Sequence, residues 1–195
     1  MALSALSDEL MRAEGMMMQD QNEEALELLL RLAEDAEEYV DCNCQTTDEL
    51  QYFAFPTLFD RLAYRRVEND PRKLEDVHEP FDRLYGDLAM AYVRTGDYEN
   101  AMNALKTAIR WNPMNCGFRL DLADLFKIAG DIREHMALTF GVFERASEAR
   151  HLTRAFLNFA AWFEAQGRLE QAAACLRAAR RFEVKDSTLE AALDQ

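Results

Sequence analysis

At 195 residues and 49% hydrophobic content, the chain can bury a real core, in one domain or two closely packed ones. Seven Gly and four Pro leave too few turn residues for a β-sandwich or barrel, so an all-α protein is expected. The formal charge of -14 is concentrated in residues 1–81, where 20 Asp+Glu stand against 7 Lys+Arg, so a nucleic acid would be repelled there and finds no basic field in the near-neutral remainder.

The first residues, "MALSALSDELMRAEG", lack a basic start, and Asp8, Glu9 and Arg12 interrupt any signal-peptide core. No later window approaches the ~18 apolar residues of a membrane span. The four cysteines, Cys42, Cys44, Cys116 and Cys175, show no disulfide framework, and a cytoplasmic location is expected. The stretch "ALSALSDELMRAEG" predicts a short first helix ending at Gly15. Next, "NEEALELLLRLAEDAEEYV" places Ala25, Leu28, Leu29, Leu32, Ala33, Ala36 and Val40 on one face of a long amphipathic helix, with its acids largely elsewhere.

Thr46 with Glu49 three residues on is a capping-box start for a helix through "DELQYFAF". Pro56 either kinks it or opens a second helix, "TLFDRLAYRRVEN", and Asp70-Pro71 is a further helix-start pair. Tyr52, Phe53, Phe55 and Phe59 gather around Pro56. They serve either as a docking hot spot or, the favoured reading, to seal the N-terminal helices onto the helical unit that begins near residue 82.

From residue 82 a repeat is visible. Gly96 in "YVRTGDYENA" recurs as Gly130 in "FKIAGDIREH" and as Gly167 in "FEAQGRLEQA", each between two amphipathic runs, so the unit is helix, tight turn, helix. In the first unit Tyr85, Leu88, Ala89 and Tyr92 share one face, Ala101, Leu105 and Ala108 another, and Pro113 closes it. The third unit repeats the pattern with Phe156, Phe159, Ala160, Phe163, Ala172, Leu176 and Ala179, with Val184 where Pro is usual. The middle unit keeps Leu122, Ala123 and Phe126 but has Arg119, His135 and Thr139 at positions favouring an aromatic, Ala and a bulky apolar residue. Its second helix is therefore expected to pack through Ile132, Met136, Phe140 and Phe143. Ser187 with Glu190 suggests a short C-terminal capping helix.

These residues resemble the 34-residue signature of the tetratricopeptide repeat (TPR), in which bulky and small positions interlock two antiparallel helices. The Trp111-Asn112-Pro113 close is similar to that of a set of bacterial TPR-containing proteins. The resemblance implies a helix-turn-helix repeat solenoid with units at 82–115, 116–149 and 153–184. An acidic N-terminal helical segment, residues 1–80, precedes it and offers a degenerate repeat packed on the solenoid. It further implies a concave groove lined by the first helix of each unit, where a protein or peptide partner would lie. The groove positions are Arg83, Gly86, Met90, Val93 and Arg94, then Gly117, Leu120, Asp124, Lys127 and Ile128, then Arg154, Leu157, Ala161, Glu164 and Ala165. Gly86, Met90, Leu120 and Asp124 stand where chaperone-binding relatives carry carboxylate-clamping Lys and Asn. What remains is an apolar strip of Met90, Val93, Leu120, Ile128 and Leu157 edged by Arg83, Arg94, Lys127 and Arg154, suited to an apolar helix or extended segment.

Catalytic patterns are missing: His78, His135 and His151 are far apart, Cys42-Asn43-Cys44 has one intervening residue where zinc knuckles have two to four, and no phosphate loop or nucleophile elbow occurs. No cofactor or metal is expected. The leading expectation is a non-enzymatic adaptor holding a partner segment in the groove. The alternatives are a self-assembling structural protein whose own N-terminal helices fill the groove, or a small acidic export-type chaperone. Arg177, Arg180, Arg181 and Lys185 near the end of the last helix either, the favoured reading, suit a helix C-terminus, or serve end-to-end association of this basic tail with the acidic first half into a homo-oligomer.

Overall fold

The computed structural model describes residues 3–182, 184 and 186–194. Two compact units divide between Met114 and Asn115.

In the first unit, α1 (Leu3–Met18) and α2 (Asn22–Asn43) form an antiparallel hairpin. Leu6, Leu10, Ala13 and Met17 fall at helical spacing on α1 and are buried, as are Ala25, Leu28, Leu29, Leu32, Ala33 and Ala36 on α2. The apolar stripe of α1 carries the helix past Gly15, the expected end, to Met18.

Residues 44–80 depart from the helical expectation. The capping-box helix does not form; Leu50–Phe53 is instead a strand, β1, and the Asp70-Pro71 pair leads into a second strand, β2 (Lys73–Asp76). The strands pair in parallel, Leu50 with Lys73 through Phe53 with Asp76. A parallel pair needs a crossover, and α3 (Leu58–Glu68) supplies it. Thr57 caps that helix by accepting a hydrogen bond from the Asp60 N–H, so Pro56 opens a helix rather than kinking one. Phe53, Phe55, Tyr64, Leu74 and Met114 make a small aromatic core, with the Phe53 and Tyr64 rings 4.6 Å apart. The Ala54 N–H donates to the Trp111 carbonyl at 2.9 Å, so the backbone between Phe53 and Phe55 fastens this insert to the end of α5 (Tyr98–Trp111).

Then α4 (Phe81–Thr95) and α5 pack as a pair, and α4 also packs on α1 and α2. Tyr85, Leu88, Ala89, Ala101, Leu105 and Ala108 are buried as the repeat pattern requires. Gly96, at φ 83°, ends α4. Its N–H bonds to the Val93 carbonyl and the Asp97 N–H to the Tyr92 carbonyl, while the Asp97 side chain caps α5. The same pair of turn bonds closes the α1–α2 hairpin, from Asp20 to Met17 and from Gln21 to Met16, with Asp20 itself at φ 60°.

In the second unit α6 (Cys116–Ile128) pairs with α7 (Ile132–Arg145), and α8 (Ala149–Ala165) with α9 (Leu169–Ala179); Gly130 and Gly167 turn the chain at φ 85° and 71°. The packing expected of α7 is corrected. This helix buries His135, Thr139 and Val142, the positions of the repeat pattern itself, and leaves Ile132 and Phe140 exposed. Its polar residues are tolerated because they are satisfied: His135 Nδ1 lies 2.9 Å from the Ala123 carbonyl oxygen, and Thr139 Oγ1 accepts from Asn158 Nδ2 at 3.3 Å. Phe143 still packs, 4.9 Å from Phe156 and 5.7 Å from Phe159.

A last helix, α10 (Ser187–Asp194), packs on α8. Asp186 begins it by accepting from the Thr188 and Leu189 N–H groups. The Glu190 side chain of the expected capping box, and Lys185 of the basic tail, lie outside the described residues.

Candidate functional site

The first helix of each pair was expected to carry the site. In the first unit α4 sets Arg83 and Arg94 toward α1. Arg83 donates to Glu14 Oε1 from Nη2 at 2.6 Å and from Nε at 2.9 Å, and its Nε lies 3.9 Å from Asp87 Oδ2. Arg94 donates from Nη1 to the Met17 carbonyl at 2.9 Å and lies 3.9 Å from Asp20 Oδ1. Both cations thus have partners on the N-terminal hairpin. Met90 is 47% exposed, and Gly86 and Val93 are half-buried.

Beside the Glu14–Arg83 pair lies Asp87, whose Oδ2 is buried without a hydrogen-bond partner among the described residues. Burial, reinforced by the negative charge of Glu14 and only partly offset by Arg83, pushes its carboxyl up to about 7. This group was not singled out from sequence. Its one visible signal was the four-residue spacing from Arg83, which puts the two on one helix face.

In the second unit Leu120 is 0% exposed, held among Cys116, Val142 and Ala155, so its side chain builds the core. Asp124 is paired: Arg154 Nη2 lies 2.8 Å from Asp124 Oδ2 and 2.9 Å from Asp121 Oδ1. Lys127, Ile128, Ala161, Glu164 and Ala165 are exposed, whereas Leu157 and Gly117 are half-buried. The Arg154 bridge, linking α8 to two turns of α6, needed Asp121, which the groove positions omit.

No catalytic arrangement emerges among the described residues. No group of three or more His, Cys, Asp or Glu is placed to hold a metal ion, and all four thiols are free. Burial pushes the Cys116 thiol up to about 11, the direction of an inert core cysteine rather than a nucleophile. Burial likewise pushes His151 below its ordinary range. No helix among the described residues is long and apolar enough to cross a membrane.

Residues 82–115, the α4–α5 hairpin and its close, match the family model described as the tetratricopeptide repeat. The α4–α5 hairpin is thus a TPR-type unit, within a chain built mostly of paired helices. No curated protein matches the sequence of this chain. Among solved structures it is similar to a thermophilic TPR protein of Thermus thermophilus, at 18% identity, covering 97% of each chain with a TM-score of 0.47. It is also similar to MamA, at 16% identity, covering 89% of this chain and 86% of that one with a TM-score of 0.45.

Proposed function

We propose that this protein works by protein–protein contact rather than by chemistry, and that the contact it favours is with further copies of its own chain. The observation that carries this reading is the occupation of Arg83 and Arg94 by α1. The two cations that would edge a groove on α4 are already satisfied within the chain, which leaves little there to orient a foreign peptide. On the same reading α1 and α2 are a degenerate repeat ahead of the matched one, supported by the shared pair of turn bonds at Asp20 and Gly96.

What the first unit leaves open is α3. Leu58, Phe59 and Leu62 are 70%, 61% and 59% exposed on successive turns, with Arg65 and Arg66 exposed one turn on. Its complement occurs on α2, whose outer face sets exposed Leu30 among Glu27, Glu34 and Glu38. An apolar and basic face on one element and an apolar and acidic face on another give a chain that can recognise itself, and a two-fold arrangement would use both faces at once.

Sedimentation over a range of concentrations tests this. The wild type should associate, Leu58→Ser with Leu62→Ser should be monomeric, and Arg65→Glu with Arg66→Glu should associate weakly until Glu34→Lys and Glu38→Lys restore the pairing. A wild type that stays monomeric at ~1 mM, weaker than nearly any working interface, would overturn it. An adaptor groove is the second reading, favoured by the exposure of Met90. It predicts partner capture that Met90→Glu abolishes while the α3 variants leave it intact.

A further inference from the structure

α2 and α5 each pack on α4, and between them a cleft of about 240 Å³ opens to the surface. Its floor is α4, with Leu88 and Tyr85. The α5 wall carries Asn103 and Thr107 and no charge, while the α2 wall carries Leu30, Glu34 and Glu37. The two ends of the cleft differ in chemistry. Burial, then the charge of Glu37, pushes the Tyr85 phenol up to about 12, so Glu37 stands at the Tyr85 end. Leu30, seven residues back along α2, stands exposed toward the other end. Arg110 also faces Tyr85, but its guanidinium lies 5.5 Å from the Trp111 ring centroid. The cleft is smaller than the ~300 Å³ at which ligand pockets begin, so a side chain carried by another helix suits it better than a free molecule.

α3 carries the complement in the same order. Leu58, Phe59, Leu62, Arg65 and Arg66 are exposed and fall within about a third of its circumference, away from the Tyr64 side that packs in the insert core. Asp60 and Glu68 lie on other faces. Phe59 precedes Arg66 by seven residues, as Leu30 precedes Glu37, a rise of ~10.5 Å in either helix. Only a parallel alignment uses both matches: it sets Phe59 on Leu30 and Arg66 on Glu37 together, whereas reversal sets Arg66 on Leu30. α9 offers a second apolar and basic ridge, Leu169 and Arg177, but the residue between them is the small Ala173 and Glu170 adjoins it.

Resting on the self-contact proposed above, we propose that α3 of a second copy lies in the cleft between α2 and α5, parallel to α2, with Phe59 at its apolar end and Arg66 paired with Glu37. Phe59 is the anchor that supplies affinity, and the rim pair of Arg66 and Glu37 fixes direction. Two assignments are new in this. α5 is part of the recognition surface, and Glu37 inside the cleft, rather than Glu38 outside it, reads the cation.

The test is disulfide trapping between two preparations of the full chain, with the exposed native thiol removed by Cys42→Ser. Arg66→Cys is mixed with Glu37→Cys, Glu38→Cys or Glu27→Cys under mild oxidation, and the mixed disulfide is followed on non-reducing gels and identified by mass. All four positions are exposed, so each variant keeps its fold. Glu37→Cys should join Arg66→Cys ~10-fold faster than the other two, because docking raises the local concentration of that thiol alone. A second variant, Asn103→Trp, fills the cleft from an exposed position on α5 and should raise the self-association constant for dissociation by ~10-fold in sedimentation. Joining that is as fast at Glu38→Cys overturns the cleft, and joining that is fastest at Glu27→Cys overturns the direction. Faster joining of Glu37→Cys to Arg177→Cys makes α9 the occupant and overturns the proposal too. Sedimentation of the Cys42→Ser parent separates the two levels. A parent that associates while all three pairs join slowly, or while Asn103→Trp changes nothing, overturns the cleft and leaves self-contact standing; a parent that stays monomeric overturns both.

Discussion

Asp20 in the α1–α2 turn adopts the left-handed backbone that Gly96 adopts in the α4–α5 turn, φ 60° against 83°, and each N–H bonds to the carbonyl three residues back. Glycine takes this conformation without a Cβ penalty, whereas a side chain there is strained even where space is open. Around Gly96 nothing lies within 4 Å of an added Cβ, so backbone alone decides the effect of substitution. Asp20→Gly should therefore stabilise the first unit by ~0.5 kcal/mol, little being lost because the Asp20 side chain is 92% exposed. Gly96→Ala should destabilise it by ~1 kcal/mol. Thermal unfolding of the two variants checks both signs.

The Glu14–Arg83–Asp87 cluster gives the fold a pH dependence. Asp87 has a folded-state pKa of about 7 against 3.8 for the free group, so the folded chain binds more protons than the unfolded one between those values. Stability must then fall as pH rises from ~4 to ~7 and level off above. Asp87→Asn keeps the shape and removes the charge. It should match the wild type near pH 4 and exceed it at pH 8 by on the order of 2 kcal/mol, measured by urea unfolding at both pH values. A wild-type advantage at pH 8 would show that Asp87 is ionised and favourably paired with Arg83 instead.

Leu120 and Met90 were expected on one surface, yet one is core and the other 47% exposed. Leu120→Ala should cost the second unit about 2–4 kcal/mol, and Leu120→Glu should unfold it, because a charge would replace the centre of a packed cluster. Met90→Glu should change stability by less than ~1 kcal/mol. Circular dichroism melts of the three variants decide this, and they matter for function, since loss of binding in Leu120→Glu would report unfolding.

The helical pairs were legible because their signals are local. Gly96, Gly130 and Gly167 mark turns, and Tyr85, Leu88 and Ala89 mark a face, without knowledge of any distant residue. The α1–α2 turn was not visible as a relative of these, since Asp20 stands where glycine would have announced it. The β1–α3–β2 insert was misread for a different reason. "LQYF" has strand character, but "KLED" has none, and the pairing exists only through contacts some twenty residues apart that periodicity does not encode. His135 and Thr139 look like departures from the repeat that should rotate α7. They remain buried because the Ala123 carbonyl and the Asn158 amide satisfy them, and such partners cannot be read from spacing. The groove positions suffered likewise: the line from Arg83 to Glu14 crosses 69 residues of sequence.

The α3 surface depends on how firmly the insert is held, and Asp70 is its fastening. Arg72 donates to its carboxylate from Nε at 2.9 Å and from Nη2 at 2.7 Å, and Tyr64 Oη donates to Oδ2 at 2.8 Å. The hydrogen bonds from Arg72, opposed by burial and aided by Tyr64, hold the Asp70 carboxyl well below the usual carboxylate range. A depressed folded pKa means that this stabilisation is present above about pH 4, the free-group range, and is lost as pH falls through the folded value. Asp70→Asn removes the charge-assisted bonds while leaving the fold of α1, α2, α4 and α5 untouched. The amides of Lys73 and Val77, which bond to the Glu49 and Phe53 carbonyls on either side of the strand pair, should then exchange with solvent ~10-fold faster at neutral pH. Amides in the middle of α4 should keep their wild-type rates. Equal acceleration in both places would mean that the insert opens only with the whole unit, and α3 would then be a fixed part of the surface rather than a separately fastened one.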